Sequence, residues 1–143
     1  MNKQSTEGKR NAALRPVLAS AALGAPAAIL LTLPLYGAAR LAGSDLRVAT
    51  PGSASGTVPL AAVIGACLAA AVAGGLLAVI LAGRAHARRL YLVLTAAGLV
   101  LSFGSPFGAA ETTTTALWLC AMHLTAAVGI IAPTARTLGR TTS

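Results

Sequence analysis

Gly83-Arg84-Ala85-His86-Ala87-Arg88-Arg89 divides two long apolar runs, Val58 to Ala82 and Leu90 to Phe107. Neither run carries a charge, and each is about as long as the 17–25 residues a helix needs to cross a bilayer. Three arginines in seven residues are too costly to place in hydrocarbon. The stretch therefore reads as a tight basic turn between two membrane spans, and its charge marks the side on which it lies.

Composition agrees. The chain has 143 residues, of which 56% are hydrophobic and only 10% charged. Its mean hydropathy is +0.77. Soluble domains carry about 25% charged residues, so the class is membrane protein. The net charge of +8 does not point to nucleic acid, because the basic residues sit in short segments between apolar runs. Aromatic residues are only 3%, too few for a base-stacking platform.

Outward from the basic turn, the reading places four spans at about 16–43, 58–83, 90–107 and 115–133. Before them, 1–15 reads as a disordered basic tail with Lys3, Lys9, Arg10 and Arg15. After them, 134–143 reads as a flexible tail with Arg136 and Arg140. The competing reading of the N-terminus is a signal peptide cleaved near Ala39. Its apolar core is too long, since such cores run about 7–15 residues. Pro26 and Pro34 are expected to kink span 1. Ser105-Pro106 is expected to end span 3, and one of Thr112 to Thr115 to cap span 4. Glu111 is expected near the positive end of that last helix.

The first outer loop, 44–57, alternates polar and apolar residues through Asp45-Leu46-Arg47-Val48 and then has a turn composition, Pro51-Gly52-Ser53. This is a weak β-hairpin signal. In span 2, Gly65, Ala66, Ala69, Ala70, Gly74 and Gly75 recur at four-residue spacing. That pattern lets helices approach closely in lipid, so Gly65, Gly74 and Gly75 are read as packing positions.

Nine of the eleven Lys and Arg residues fall in the N-terminal tail, the Arg84–Arg89 turn and the C-terminal tail. The positive-inside rule then places both termini and the turn in the cytoplasm. Trp118 and Tyr36 fall near the outer interface by this reading, and Tyr91 near the inner one.

Little in the chain points to chemistry. There is no P-loop, no GxSxG, no HExxH and no paired carboxylates. No enzyme, metal or cofactor is expected. Asp45 and Glu111, in the outer loops, are expected to pair with Arg40 or Arg47. Cys67 and Cys120 lie inside apolar runs and are expected to be free thiols. His123 departs from the pattern. It stands in the middle of span 4, and an ionisable residue at that depth marks a functional site or a structural hydrogen bond. Its helix face carries small residues, so it is expected to turn inward. Ser102, or a carbonyl freed by Pro26, is then its expected partner on another span.

Several short motifs resemble a family of small uncharacterised four-helix membrane proteins of high-GC Gram-positive bacteria. They are Gly43-Ser44-Asp45-Leu46-Arg47-Val48 after span 1, Ser105-Pro106 after span 3, and Leu119 to Leu124 with Met122-His123 in span 4. The resemblance covers about 16–133. It implies a plasma-membrane location and no particular activity, and it puts Met122 and His123 on motif positions.

The expected fold is an all-α four-helix transmembrane bundle with a small outer cap. The expected function is that of an accessory or structural membrane protein, working by helix packing. Its partners are the lipid bilayer and either a second copy or an unidentified membrane protein, with no nucleic acid. The alternative is a small-ligand or proton-linked carrier centred on His123.

Overall fold

The computed structural model describes residues 3–49 and 54–141, with side chains from Leu14 to Ala49 and from Ala54 to Arg140. Its elements are α1 (Lys3–Leu41), β1 (Arg47–Val48), β2 (Gly56–Thr57), α2 (Leu60–Leu81), α3 (Ala87–Ser102), α4 (Gly104–Ala109) and α5 (Thr113–Thr141). α4 follows α3 after the single residue Phe103, and together they make one apolar stretch, Ala87–Ala109. With Leu14–Leu41, Leu60–Leu81 and Thr113–Arg140, this gives four helices long and apolar enough to cross a membrane.

Two of the helices run further than the sequence reading. α1 begins at Lys3, so the backbone of the basic segment is helical from that residue on. It also continues through Pro16, Pro26 and Pro34. α5 likewise passes through Pro133 and takes in most of the segment expected to be a flexible tail. Proline is a poor stop signal in such helices because its freed carbonyls can be satisfied locally. Ser105-Pro106 does not end the third span either. The break comes at Phe103, and Pro106 sits in the first turn of α4, where a missing N–H costs nothing.

The true stops are conformational. α1 ends with Gly43 at φ +79. There the Gly43 N–H donates to the Arg40 carbonyl at 3.1 Å and the Ser44 N–H to the Ala39 carbonyl at 3.0 Å. This is the paired closure that a left-handed residue permits. α2 ends at Gly83, φ +78, and α3 starts after His86, also left-handed at φ +63. The basic turn is therefore short because two of its residues reverse the backbone hand. At the other end Thr112 caps α5, its Oγ1 accepting the Thr115 N–H at 3.1 Å.

α1 packs most extensively against α5 and next against α2. The α1–α5 seam is the tightest contact. A Cβ on Gly129 would stand 2.7 Å from Ala28 N and 2.8 Å from Ala28 Cα, and one on Gly24 3.3 Å from Ile130 Cα. On α1 the seam residues Ser20, Gly24, Ala28 and Thr32 repeat every fourth position and are buried. In α2, a Cβ on Gly75 would meet Ala21 at 3.1 Å and one on Gly74 would meet Ile130 at 3.0 Å. Gly65 is different. A Cβ there would find nothing within 4 Å, so Gly65 does not pack within the chain as expected.

Tyr91 lies at the arginine-rich end, as the sequence reading has it, but its ring turns inward: it is the largest fully buried side chain among the described residues, in a cluster with Val17, Ala78, Leu81, Ala87, Ala135 and Leu138. Cys67 is buried and Cys120 partly buried, and both are free thiols.

The opposite end carries the cap. β1 and β2 pair antiparallel, Arg47 with Thr57 and Val48 with Gly56. The expected turn, Pro51-Gly52-Ser53, lies outside the described residues. The other edge of β1 meets the end of α4 and the link to α5, through Ala49 N–H to Ala109 O at 2.8 Å and Glu111 N–H to Arg47 O at 3.2 Å. Leu46 holds this cap down. It is fully buried against Ala39 and Met122 in spite of a strained φ of +49.

Candidate functional site

The packing of α1 on α5 and α2 leaves α3 loosely held, with the smallest buried share of the four spans. Between α2, α3 and α5 there remains a partly open chamber of about 560 Å³, within the range of small-molecule sites. Its walls are mostly apolar, with Thr32, Cys67, Thr95, Ser102 and His123 as its polar members. Met122 lines it beside His123 and is itself buried under the cap.

His123 therefore faces inward, as its helix face predicts. Its hydrogen bond differs from expectation. Nδ1 lies 2.8 Å from the Leu119 carbonyl of its own helix, one turn back, and not from another span. Ser102 is not its partner: the His123 ring bonds to Leu119, and the Ser102 hydroxyl donates to Leu99 O at 2.7 Å. A side chain in a helix always has the carbonyl four residues back within reach, and local bonds of this kind compete with longer ones.

The consequence is chemical. A carbonyl only accepts, so Nδ1 carries the proton in this contact, and in the neutral form of the ring Nε2 is then an acceptor. The Thr95 hydroxyl donates to Tyr91 O at 2.7 Å. Cys67 Sγ donates weakly to Thr32 Oγ1 at 3.9 Å. His123, Ser102, Thr95 and Cys67 thus spend their protons on the protein and keep lone pairs. Thr32, Cys67 and Thr95 are not marked as site residues by the sequence, where a lone hydroxyl or thiol in an apolar run carries no periodic signal.

The outer-loop group is separate from the chamber. Arg47 Nε lies 3.2 Å from Glu111 Oε2, and the same guanidinium donates to Ser55 Oγ at 2.9 Å. Glu111 thus pairs across the cap with Arg47. Arg40 donates to the Asp45 backbone carbonyl at 3.2 Å, with the two side-chain charges 3.9 Å apart. All four side chains are substantially exposed, so these pairs orient the cap and contribute little stability. Among the described residues, no three His, Cys, Asp or Glu side chains gather as a metal site would require.

Four helices each long and apolar enough to cross a bilayer, packed round an inner chamber, define the class: a multi-pass membrane protein. The chain belongs to a family of unknown function, DUF6069, which it matches over residues 12–140. No curated protein and no solved structure matches it.

Proposed function

We propose that the protein sits in the plasma membrane with both termini in the cytoplasm and holds a small, largely apolar molecule in the His123 chamber. The orientation follows from the basic residues, which concentrate at the end formed by the α2–α3 turn and the two termini. The ligand reading is carried by one observation, the roomy apolar chamber with a histidine acceptor in its wall. The acceptors available there call for a hydrogen-bond donor on the ligand, such as the hydroxyl of a long-chain or isoprenoid alcohol. No group in the chamber pairs a nucleophile with a base, so the role is binding or carriage and not catalysis.

A second reading, helix packing with another copy or a partner, is favoured by the exposed small-residue face of α2. Gly65 lies there with open space before it.

The test is photolabelling in phosphatidylcholine vesicles with a long-chain alcohol bearing a diazirine. Labelled peptides should fall in the chamber walls of α2 and α5, and His123→Leu should reduce that labelling about tenfold. A matched alkane probe without the hydroxyl should be insensitive to the substitution. Labelling spread over the outward residues Leu101, Leu117 and Leu124, and indifferent to His123, would refute ligand binding and leave the packing reading.

A further inference from the structure

A second groove runs between α3 and α5 at the arginine-rich end. It has a volume of about 340 Å³. Arg88 and Arg136 stand at its mouth. Leu92 and Leu99 continue one wall along α3, and Val128 and Leu124 continue the other along α5. On α5 the spacing from Arg136 through Ala132 and Val128 to Leu124 is four residues throughout, so one face of the helix carries the stripe. From Arg136 to Leu124 that stripe is about 18 Å long, close to the roughly 15 Å depth of one bilayer leaflet.

The arginines are placed and unspent. The stem of Arg88 lies along the last turns of α5, where a Cβ on Gly139 would stand 3.1 Å from its Cδ. Neither Arg88 nor Arg136 takes part in an ion pair among the described residues, where the two pairs are Arg40–Asp45 and Arg47–Glu111 at the other end. The chain has only one further acid, Glu7, whose side chain lies outside the described residues. Two guanidiniums over an apolar slot one leaflet deep match a single occupant. It carries a phosphate for the arginines, which bind phosphate in bidentate fashion, and an acyl chain for the slot.

We infer that the α3–α5 groove is a site for one anionic phospholipid, its phosphate held by Arg88 and Arg136 and an acyl chain lying along Leu92, Val128 and Leu124. The groove shares Leu99, Ala127 and Ile131 with the wall of the His123 chamber, and the variants that probe the two are different.

The experiment is native mass spectrometry of the purified protein offered equimolar phosphatidylglycerol and phosphatidylcholine. Each basic residue near a membrane surface is worth roughly a fivefold preference for anionic lipid. The double variant R88Q/R136Q should therefore lower the retained ratio of the two lipids by about twentyfold. R84Q/R89Q removes the same charge at the same end but from residues outside the groove, and should change it less than threefold. Val128→Trp keeps both arginines and fills the slot, and should also lose the lipid, which keeps the test decisive if the arginine variant fails to fold. Millimolar inorganic phosphate should not displace the lipid. Equal losses in the two arginine double variants would show diffuse surface charge and overturn the inference. Displacement by phosphate would show an anion site without a lipid slot and overturn it as well.

Discussion

Gly129→Ala should destabilise the protein by about 2–3 kcal/mol, and Gly129→Leu should prevent α1 and α5 from docking. The added methyl would meet Ala28 N at 2.7 Å and Ala28 Cα at 2.8 Å. Both are backbone atoms and cannot rotate away, so the helices must separate. Overpacking of this kind costs about 1–3 kcal/mol, and more where nothing yields. It outweighs the gain of about 1 kcal/mol that alanine brings over glycine in a helix interior. Gly65→Ala is the contrasting substitution. Nothing lies within 4 Å of its Cβ position, so only the helix-propensity gain remains and stability should rise slightly. Unfolding in mixed detergent micelles compares the two signs directly. Equal effects from both would mean that α1 and α5 do not meet at Gly129.

Tyr91 gives the second large effect. It is fully buried, so Tyr91→Ala should cost about 3–5 kcal/mol, as truncation of a buried aromatic ring does. Its hydroxyl has no hydrogen-bond partner among the described residues. The Thr134 side chain lies close enough to interact with it, but its hydroxyl donates to Ile130 O at 3.0 Å and no bond of good geometry joins the two. A buried unpaired hydroxyl is a liability of about 1–3 kcal/mol, so Tyr91→Phe should leave stability unchanged or raise it. Loss of stability in Tyr91→Phe, read in the same unfolding assay, would show that the hydroxyl is bonded after all.

These two positions also show how far the sequence can be read. Four spans and the basic turn are legible because charge and apolar length act over whole segments, and Gly83 and Arg84 to Arg89 interrupt them sharply. The level of Tyr91 is legible, two residues beyond Arg89, but its burial is not. Depth counted from a charge does not say which way the ring turns, and in the fold it turns into the bundle. The α1–α5 seam is present as Ser20, Gly24, Ala28 and Thr32 at four-residue spacing, but span 2 offers a denser run of small residues and draws the packing assignment. Of that run, Gly74 and Gly75 do meet other helices and Gly65 does not, since small size permits contact without requiring it. The ends of the first two spans are legible at Gly43 and Gly83, where positive φ does the stopping, whereas Pro106 and Pro133 read as stops and are passed through. For His123 the face is legible from its neighbours. Its bond to Leu119 is not, because helix periodicity fixes the direction of Cβ and leaves the ring nitrogens to local choice.

The chamber between α2, α3 and α5 is the centre of the account. The most direct measurement repeats the diazirine-alcohol labelling on Gly98→Phe, with thermal unfolding followed in lipid nanodiscs. Gly98 lines the chamber and a Cβ there would meet nothing within 4 Å, so a phenyl ring has open space to enter. The account predicts that labelling of α2 and α5 disappears while the melting temperature holds or rises. A melting temperature lowered by many degrees would show the ring forced into a packed core, the usual cost of overpacking, and would contradict the existence of the chamber.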